Sequence, residues 1–290
     1  MSERPSTVDS FARDGLRFEV VDRGPAGAET AVLLHGFPQT AASWDLVLPR
    51  LVDGGLRVLA PDQRGYSPGA RPAGRWAYRM PELVQDVVAL LDAAGVERAH
   101  VVGHDWGGAV GWALGTARQD RVATLTVLST PHPAAMLRAM VRGGQALRSW
   151  YLAAFQLPWL PERLLAVETP AGRERLVRWL AGAGMPADRA RDCVDRLSGP
   201  GALTAALNWY RAVPLGSGRD GLAKVTVPTV YVWGAADRFL SRAAAEATRD
   251  RVNGPYRFEE LLDAGHWLLD RNPATVADLV LRQVREHPAG

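Results

Sequence analysis

One stretch in the first half of the chain decides the fold, and it reads Val101-Val102-Gly103-His104-Asp105-Trp106-Gly107-Gly108. The stretch starts as an apolar strand, turns sharply, and continues into a helical pattern from Trp106. Such a strand–turn–helix elbow carries a nucleophile at its tip, in the pattern G-x-nucleophile-x-G. Gly103 and Gly107 supply the residues without side-chain bulk that the turn requires. The pattern therefore predicts Asp105 as the reactive side chain.

A carboxylate at the nucleophile position changes the expected chemistry. A serine there would indicate acyl transfer from esters. An aspartate is a poor nucleophile toward carbonyl carbon but a competent one toward strained or activated sp³ carbon, with which it forms an alkyl ester. Asp105 therefore indicates epoxides or alkyl halides as substrates, rather than esters.

Apolar runs alternate with helical patterns along most of the chain. Continuous apolar runs are typical of strands buried on both faces, and they lie at residues 31–34, 56–60, 100–102, 122–128 and 227–233. Helical patterns lie at 81–94, 106–116 and 242–251. A hairpin precedes them, with strands at 6–13 and 16–23 on either side of Asp14-Gly15. This alternation predicts an α/β fold with a mostly parallel, doubly wound sheet.

The alternation stops between residues 134 and 222. This stretch has helical patterns broken by prolines and no convincing strand. A helical insertion within an α/β sheet is typical of a cap over an active site. We therefore predict a first core segment at 1–133, a helical cap at 134–222 and a second core segment at 223–290.

Two further polar residues follow predicted strands late in the chain. Asp237 comes after the strand at 227–233, and His266 comes after a strand near 256–262. Ligand chemistry in open α/β sheets gathers at the carboxyl ends of the strands. Each residue alone would be read as an ordinary loop residue, but the order nucleophile, acid, histidine on these strand ends favours a catalytic triad. Histidine suits the role of base because its pKa lies near neutrality.

Backbone donors for an oxyanion are expected at two places. The strand at 31–34 runs into His35-Gly36-Phe37-Pro38, where the backbone N–H of Phe37 would be one donor. The N–H of Trp106, directly after the nucleophile, would be the second. The other histidines near these motifs (His35, His104 and His132) are interpreted as structural residues.

Composition excludes several classes of function. Of 290 residues, 34 are basic and 31 are acidic, and no basic stripe interleaved with aromatic residues indicates nucleic-acid binding. No apolar run is long enough for a membrane span, and the first residues do not resemble a signal peptide. The single cysteine, Cys193, excludes an internal disulfide and indicates the cytoplasm. No metal-binding cluster or phosphate-binding loop is present in the sequence, so we expect no metal and no cofactor.

The motifs together resemble those of the epoxide hydrolases of the α/β-hydrolase fold. The resemblance rests on the loop at 35–38, Asp62-Gln63-Arg64-Gly65-Tyr66, the elbow at 103–108, Asp237 and Gly265-His266-Trp267. It covers nearly the whole chain from about residue 8. In these enzymes two cap tyrosines bind the epoxide oxygen, and residues 151–156 and 208–211 are similar to their two motifs. The resemblance therefore implies catalytic roles for Tyr151 and Tyr210; the alternative is that both rings only pack the cap on the core.

The resemblance implies hydrolysis of a small-molecule epoxide to a vicinal diol, by a monomer or homodimer without a cofactor. Two alternatives remain open. One is a haloalkane or haloacid dehalogenase with the same nucleophile, although Phe37 stands where an asparagine is usual and Trp106 where the haloacid enzymes have arginine. The other is a non-catalytic, ligand-binding member of the fold.

Overall fold

The computed structural model describes residues 7–216 and 222–289. Its strands are β1 (Ser10–Arg13), β2 (Leu16–Arg23), β3 (Thr30–Leu34), β4 (Arg57–Pro61), β5 (Ala99–His104), β6 (Val122–Leu128), β7 (Thr229–Gly234) and β8 (Tyr256–Leu261). Its α-helices are α1 (Leu48–Asp53), α2 (Met80–Ala93), α3 (Trp106–Ala117), α4 (Pro133–Arg142), α5 (Gln145–Arg148), α6 (Trp150–Phe155), α7 (Leu160–Leu165), α8 (Pro170–Gly182), α9 (Ala187–Leu197), α10 (Ala202–Ala212), α11 (Arg242–Ala247), α12 (Leu268–Arg271) and α13 (Pro273–Glu286).

The strands form one eight-stranded sheet in the order β1-β2-β4-β3-β5-β6-β7-β8. β2 pairs with β1 and β4 in antiparallel fashion, and every other pairing is parallel. The predicted mostly parallel, doubly wound sheet is thereby confirmed. Because parallel strands end at the same edge, the loops after β3, β5, β7 and β8 meet there.

Both faces of the sheet are covered by helices, which explains its continuous apolar runs. Along β3, Val32 and Leu34 belong to the core cluster that includes α2 and α3, whereas Leu33 belongs to the cluster with α1 and α13. All three side chains are fully buried. Burial of one such side chain stabilises the fold by about 1.5–3 kcal/mol.

Helices α4 to α10 follow one another between β6 and β7, and residues 133–216 contain no strand. The indole Nε1 of Trp209 in α10 donates to the carbonyl oxygen of Arg64 at 2.7 Å and so ties this helical segment to the core. The structure is consistent with the predicted cap at 134–222, but the division of the chain into core and cap stays a prediction. Residues 1–6, 217–221 and 290, which the predicted segments include, lie outside the described residues.

Several predicted boundaries differ from the observed ones by a few residues. β7 begins at Thr229 rather than at residue 227, because Pro228 has no N–H to donate to a neighbouring strand. The helix predicted at 242–251 is α-helical only to Ala247 and ends as a 3₁₀ turn. There the Thr248 hydroxyl donates to the carbonyl oxygen of Ala244, a contact that bends helices. Within the described residues, no helix is long and apolar enough to cross a membrane.

Candidate active site

The predicted elbow is present between β5 and α3, with Asp105 at its tip. Asp105 has φ 51° and ψ −120°, a backbone conformation that residues with a side chain rarely adopt. Such a conformation costs on the order of 1–3 kcal/mol and persists only where the surroundings enforce it. The turn points the carboxylate out of the sheet edge, directly before the N-terminus of α3.

The glycines around the elbow are required by close backbone approaches. A Cβ on Gly103 would overlap the carbonyl group of Gly107, and one on Gly107 would overlap the carbonyl oxygen of Leu34. A Cβ on Gly36, in the loop after β3, would overlap the side chain of Asp105. These contacts press the elbow against the loop that precedes Phe37 and fix the distance between them.

The two carboxylate oxygens of Asp105 have different surroundings. The backbone N–H of Phe37 donates to Oδ1 at 2.8 Å, and a backbone hydrogen bond from Trp106 also stabilises the ionised form. The other oxygen, Oδ2, lies 3.6 Å from Nε2 of His266. Oδ1 is thus held by Phe37, one of the two predicted oxyanion donors, and Oδ2 faces the predicted base.

Asp237 and His266 meet as the sequence predicted, although they follow different strands. Nδ1 of His266 lies 2.8 Å from Oδ2 of Asp237, and both residues are buried. The other oxygen, Oδ1, accepts hydrogen bonds from the backbone N–H groups of Phe239 and Leu240 at 2.7 and 3.0 Å. These bonds hold the carboxylate in place, so that Asp237 fixes the orientation of the imidazole.

The charges of these three residues support one another. Burial would lower the pKa of His266, but the charges of Asp237 and Asp105 and their hydrogen bonds raise it above its ordinary value. Burial would raise the pKa of Asp105, but the hydrogen bond and charge of His266 hold it below its ordinary value. The charge of Asp105 therefore favours the protonated form of His266, and the protonated imidazole favours the ionised form of Asp105.

Hydrogen bonds with residues 62–66, one of the motifs that carry the family resemblance, hold the loop that contains Phe37. Asp62 accepts a hydrogen bond from the backbone N–H of Ala41 at 2.7 Å. The backbone N–H of Gln63 donates to Nε2 of His35 at 3.1 Å, while Nδ1 of His35 lies 3.2 Å from the carbonyl oxygen of Gly36. This arrangement supports the structural interpretation of His35.

The other two histidines near the site also have both ring nitrogens occupied. In His104, Nδ1 contacts the amide oxygen of Gln39 at 3.1 Å and Nε2 contacts the carbonyl oxygen of His266 at 2.9 Å. In His132, Nδ1 accepts from the backbone N–H of Ala134 and Nε2 contacts the carbonyl oxygen of Ala223. Of these four histidines (His35, His104, His132 and His266), only His266 forms an ion-pair contact with Asp105.

Tyr151 in α6 and Tyr210 in α10 lie together over this site. Their ring centroids are 6.2 Å apart, and Tyr210 packs edge-on against Phe37 at 5.4 Å and Trp106 at 5.0 Å. Burial first, and then the charge of Asp105, raises the pKa of both tyrosines above the ordinary value. Both hydroxyl groups therefore stay protonated at neutral pH and can act as hydrogen-bond donors.

Three residues of the site were not predicted from the sequence. The Phe239 ring packs against His266 with centroids 5.0 Å apart, and Gln39 orients His104. Arg148 donates to the carbonyl oxygen of Asp237 at 2.8 Å. Gln39 and Phe239 lie next to predicted motifs, and this proximity could have indicated that they belong to the site. No sequence pattern connects Arg148 to the loop after β7.

Comparisons with known proteins show the family to which the chain belongs. The family model described as alpha/beta hydrolase fold matches residues 31–273. Epoxide hydrolase A of Mycobacterium tuberculosis (strain ATCC 25618 / H37Rv) is 36% identical, over 92% of this chain and 94% of its own. The chain belongs to the epoxide hydrolases of the α/β-hydrolase fold.

Two further relatives of this epoxide hydrolase family member match it along nearly their whole length. The AB hydrolase superfamily protein YfhM of Bacillus subtilis (strain 168) is 38% identical, over 94% of this chain and 96% of its own. The crystal structure of Epoxide Hydrolase A from Mycobacterium thermoresistibile superposes with a TM-score of 0.81 at 30% identity, covering 98% of this chain and 99% of that one. The predicted family and fold are thereby confirmed, and the roles of the individual site residues remain predictions.

Proposed function

We propose that this epoxide hydrolase family member converts an epoxide to a vicinal diol through an alkyl ester of Asp105. The observation that carries the proposal is that the two carboxylate oxygens of Asp105 have different contacts. Phe37 N–H holds Oδ1 at 2.8 Å, while Oδ2 faces His266 at 3.6 Å. A carboxylate with one oxygen bound by a backbone N–H and the other facing a base suits displacement at carbon, followed by hydrolysis of the resulting ester.

In the first step the hydroxyl groups of Tyr151 and Tyr210 donate to the epoxide oxygen. Oδ2 of Asp105 attacks a ring carbon, the carbon–oxygen bond breaks, and one tyrosine gives its proton to the departing alkoxide. The raised pKa of both tyrosines keeps the hydroxyl groups protonated until that moment. The products are a neutral ester at Asp105, a free hydroxyl on the substrate and a tyrosinate.

Formation of the ester prepares His266 for the second step. The charge of Asp105 is one of the two charges that raise the pKa of His266. Alkylation removes that charge, so the imidazolium becomes a stronger acid and returns a proton to the tyrosinate. His266 is then neutral and can act as a general base.

In the second step neutral His266 takes a proton from water, and the hydroxide attacks Cγ of Asp105. The charge that develops on Oδ1 lies at the backbone N–H groups of Phe37 and Trp106, the proposed oxyanion hole. Collapse of this intermediate releases the diol with Oδ2, and His266 gives its proton to the leaving alkoxide. The new acid group of Asp105 then ionises to His266, which restores the starting state.

Helices α4 to α10, which lie within the predicted cap at 134–222, would act as the cap, because α6 and α10 supply the two tyrosines. We also infer a cytoplasmic location, supported by Cys193 as the single cysteine of the chain.

The function is tested with a panel of styrene oxides, terpene epoxides and aryl glycidyl ethers, read as diol formation. We expect diol from at least one of them with the wild-type protein and none above background with Asp105→Ala. Halide release from short haloalkanes and haloacetates is measured in parallel. Halide release without diol formation would contradict the proposal and favour the dehalogenase alternative.

A further inference from the structure

A groove of about 640 Å³ lies beside the proposed active site, between α5, α6, α8 and the loop after β7. Tyr151 and Phe239 belong to its lining. The Phe239 ring lies 6.0 Å from that of Tyr151 and 5.0 Å from that of His266. The lining therefore includes one proposed catalytic residue, Tyr151, and a residue in contact with His266, so the groove adjoins the place where the epoxide would bind.

The lining of this groove is strongly basic. Among the residues that the structure describes, the lining contains Arg148, Arg178 and Arg238 and no acidic residue. Among the ion pairs of residues 7–216 and 222–289, Arg148 and Arg238 take part in none. Arg178 approaches Glu174 at 3.7 Å, and both side chains are more than half exposed. The groove thus holds three positive charges that nearby carboxylates neutralise very little.

Two of these guanidinium groups are held by backbone carbonyls. Arg148 donates to the carbonyl oxygen of Asp237 at 2.8 Å, and Arg238 donates to that of Gly182 at 2.6 Å. Both contacts use Nη1 and leave further N–H donors and the full positive charge available. The protein thereby positions the two arginines at the groove without neutralising them.

Aromatic side chains occupy the same groove. Trp150 is 66% exposed and Trp179 is 43% exposed, although large apolar side chains are usually covered. The Trp179 ring lies 5.9 Å from that of Phe239, so aromatic surface continues from the active site toward the arginines. Such a surface fits an apolar or aromatic body, and arginine fits a carboxylate through paired hydrogen bonds.

We propose that this groove is an anion-binding subsite, and that the preferred substrates are epoxides with a carboxylate remote from the ring. The apolar body of the substrate packs on Trp150 and Trp179. The carboxylate is bound by Arg178 and Arg238, while Arg148 adds positive charge beside the loop of Asp237. The inference rests on the proposed epoxide hydrolysis and names the class of epoxide that it favours.

The test compares 4-(glycidyloxy)benzoate with 4-(glycidyloxy)benzamide, which share the epoxide and the ring and differ in charge. We expect the wild-type protein to favour the carboxylate in kcat/KM, and the preference to shrink as salt is added. Each exposed charge pair changes kcat/KM by about 2- to 5-fold. The double variant Arg178→Gln/Arg238→Gln should therefore lose most of the preference for the carboxylate. The same variant should hydrolyse the amide at the wild-type rate. Arg142→Gln, which removes an exposed arginine outside the groove, should keep the preference.

The possible results separate the subsite from the activity itself. Equal kcat/KM for the two compounds with the wild-type protein, or a preference that survives in the double variant, would overturn the subsite while epoxide hydrolysis stands. A double variant that loses the amide activity as well would show that these arginines support the fold and not a carboxylate. If the wild-type protein hydrolyses neither compound nor any epoxide of the panel, the proposed function fails and the subsite falls with it.

Discussion

A His266→Gln variant is expected to react once with an epoxide and then stop, with the substrate bound to Asp105. Ring opening needs only the carboxylate and the two tyrosines, whereas hydrolysis of the ester needs the imidazole as a base. Loss of a general base slows the step that it assists by about 10²- to 10⁴-fold. Intact-mass measurement after mixing should show the protein heavier by one substrate mass, and peptide mapping should place the addition at Asp105.

Asp237→Asn should show the same defect as His266→Gln in a weaker form. It leaves His266 present but removes the carboxylate that lies 2.8 Å from Nδ1. We expect a smaller fraction of adduct at steady state and a partial loss of turnover. His132→Gln, whose ring nitrogens contact Ala134 and Ala223, serves as the control and should turn over without an adduct. Normal turnover by His266→Gln would mean that the base is a different residue.

The double variant Tyr151→Phe/Tyr210→Phe is expected to lose nearly all ring opening. Each tyrosine donates one hydrogen bond to an oxygen that gains charge, and such a bond contributes about 1.5–3 kcal/mol, or roughly 10- to 100-fold in rate. Either single variant should keep some activity because one hydroxyl still donates. Single-turnover formation of the alkyl ester, measured by quenching and mass spectrometry, reads this step directly.

Tyr256→Phe provides the matched control for this pair. It makes the same phenol-to-phenyl change in β8, where the buried hydroxyl has no hydrogen-bond partner among the described residues. Its rate of ester formation should equal that of the wild-type protein. A folded double variant with near wild-type turnover on epoxides would show that the two tyrosines only pack the helices, and the dehalogenase alternative would gain support.

The alternating apolar runs were sufficient to predict the sheet, because buried parallel strands leave an uninterrupted apolar signal. The helices between β6 and β7 were equally predictable, because the sequence there shows helical patterns interrupted by prolines and no strand pattern. The ends of elements were not, because they depend on single contacts. The Thr248 hydroxyl, for example, donates to the carbonyl oxygen of Ala244 where α11 ends, and periodicity does not reveal such a bond.

The meeting of the three proposed triad residues was predictable because each lies in the turn or loop that follows a strand. Asp105, Asp237 and His266 meet at one sheet edge, as the positions after β5, β7 and β8 require. The groove was not predictable in this way. Arg148, Arg178 and Arg238 are far apart in the sequence, and only the packing of α5 and α8 on the loop after β7 brings them together.

The central claim is that Asp105 attacks the epoxide and is itself regenerated by water. A single turnover in ¹⁸O-water with enzyme in excess over epoxide tests it most directly. The ester is hydrolysed at Cγ, so the oxygen that attacked the substrate leaves with the diol and an oxygen from water replaces it. We predict a diol without label and an Asp105 peptide that carries ¹⁸O. Label in the diol with an unlabelled Asp105 would contradict the account, because water would then attack the ring directly.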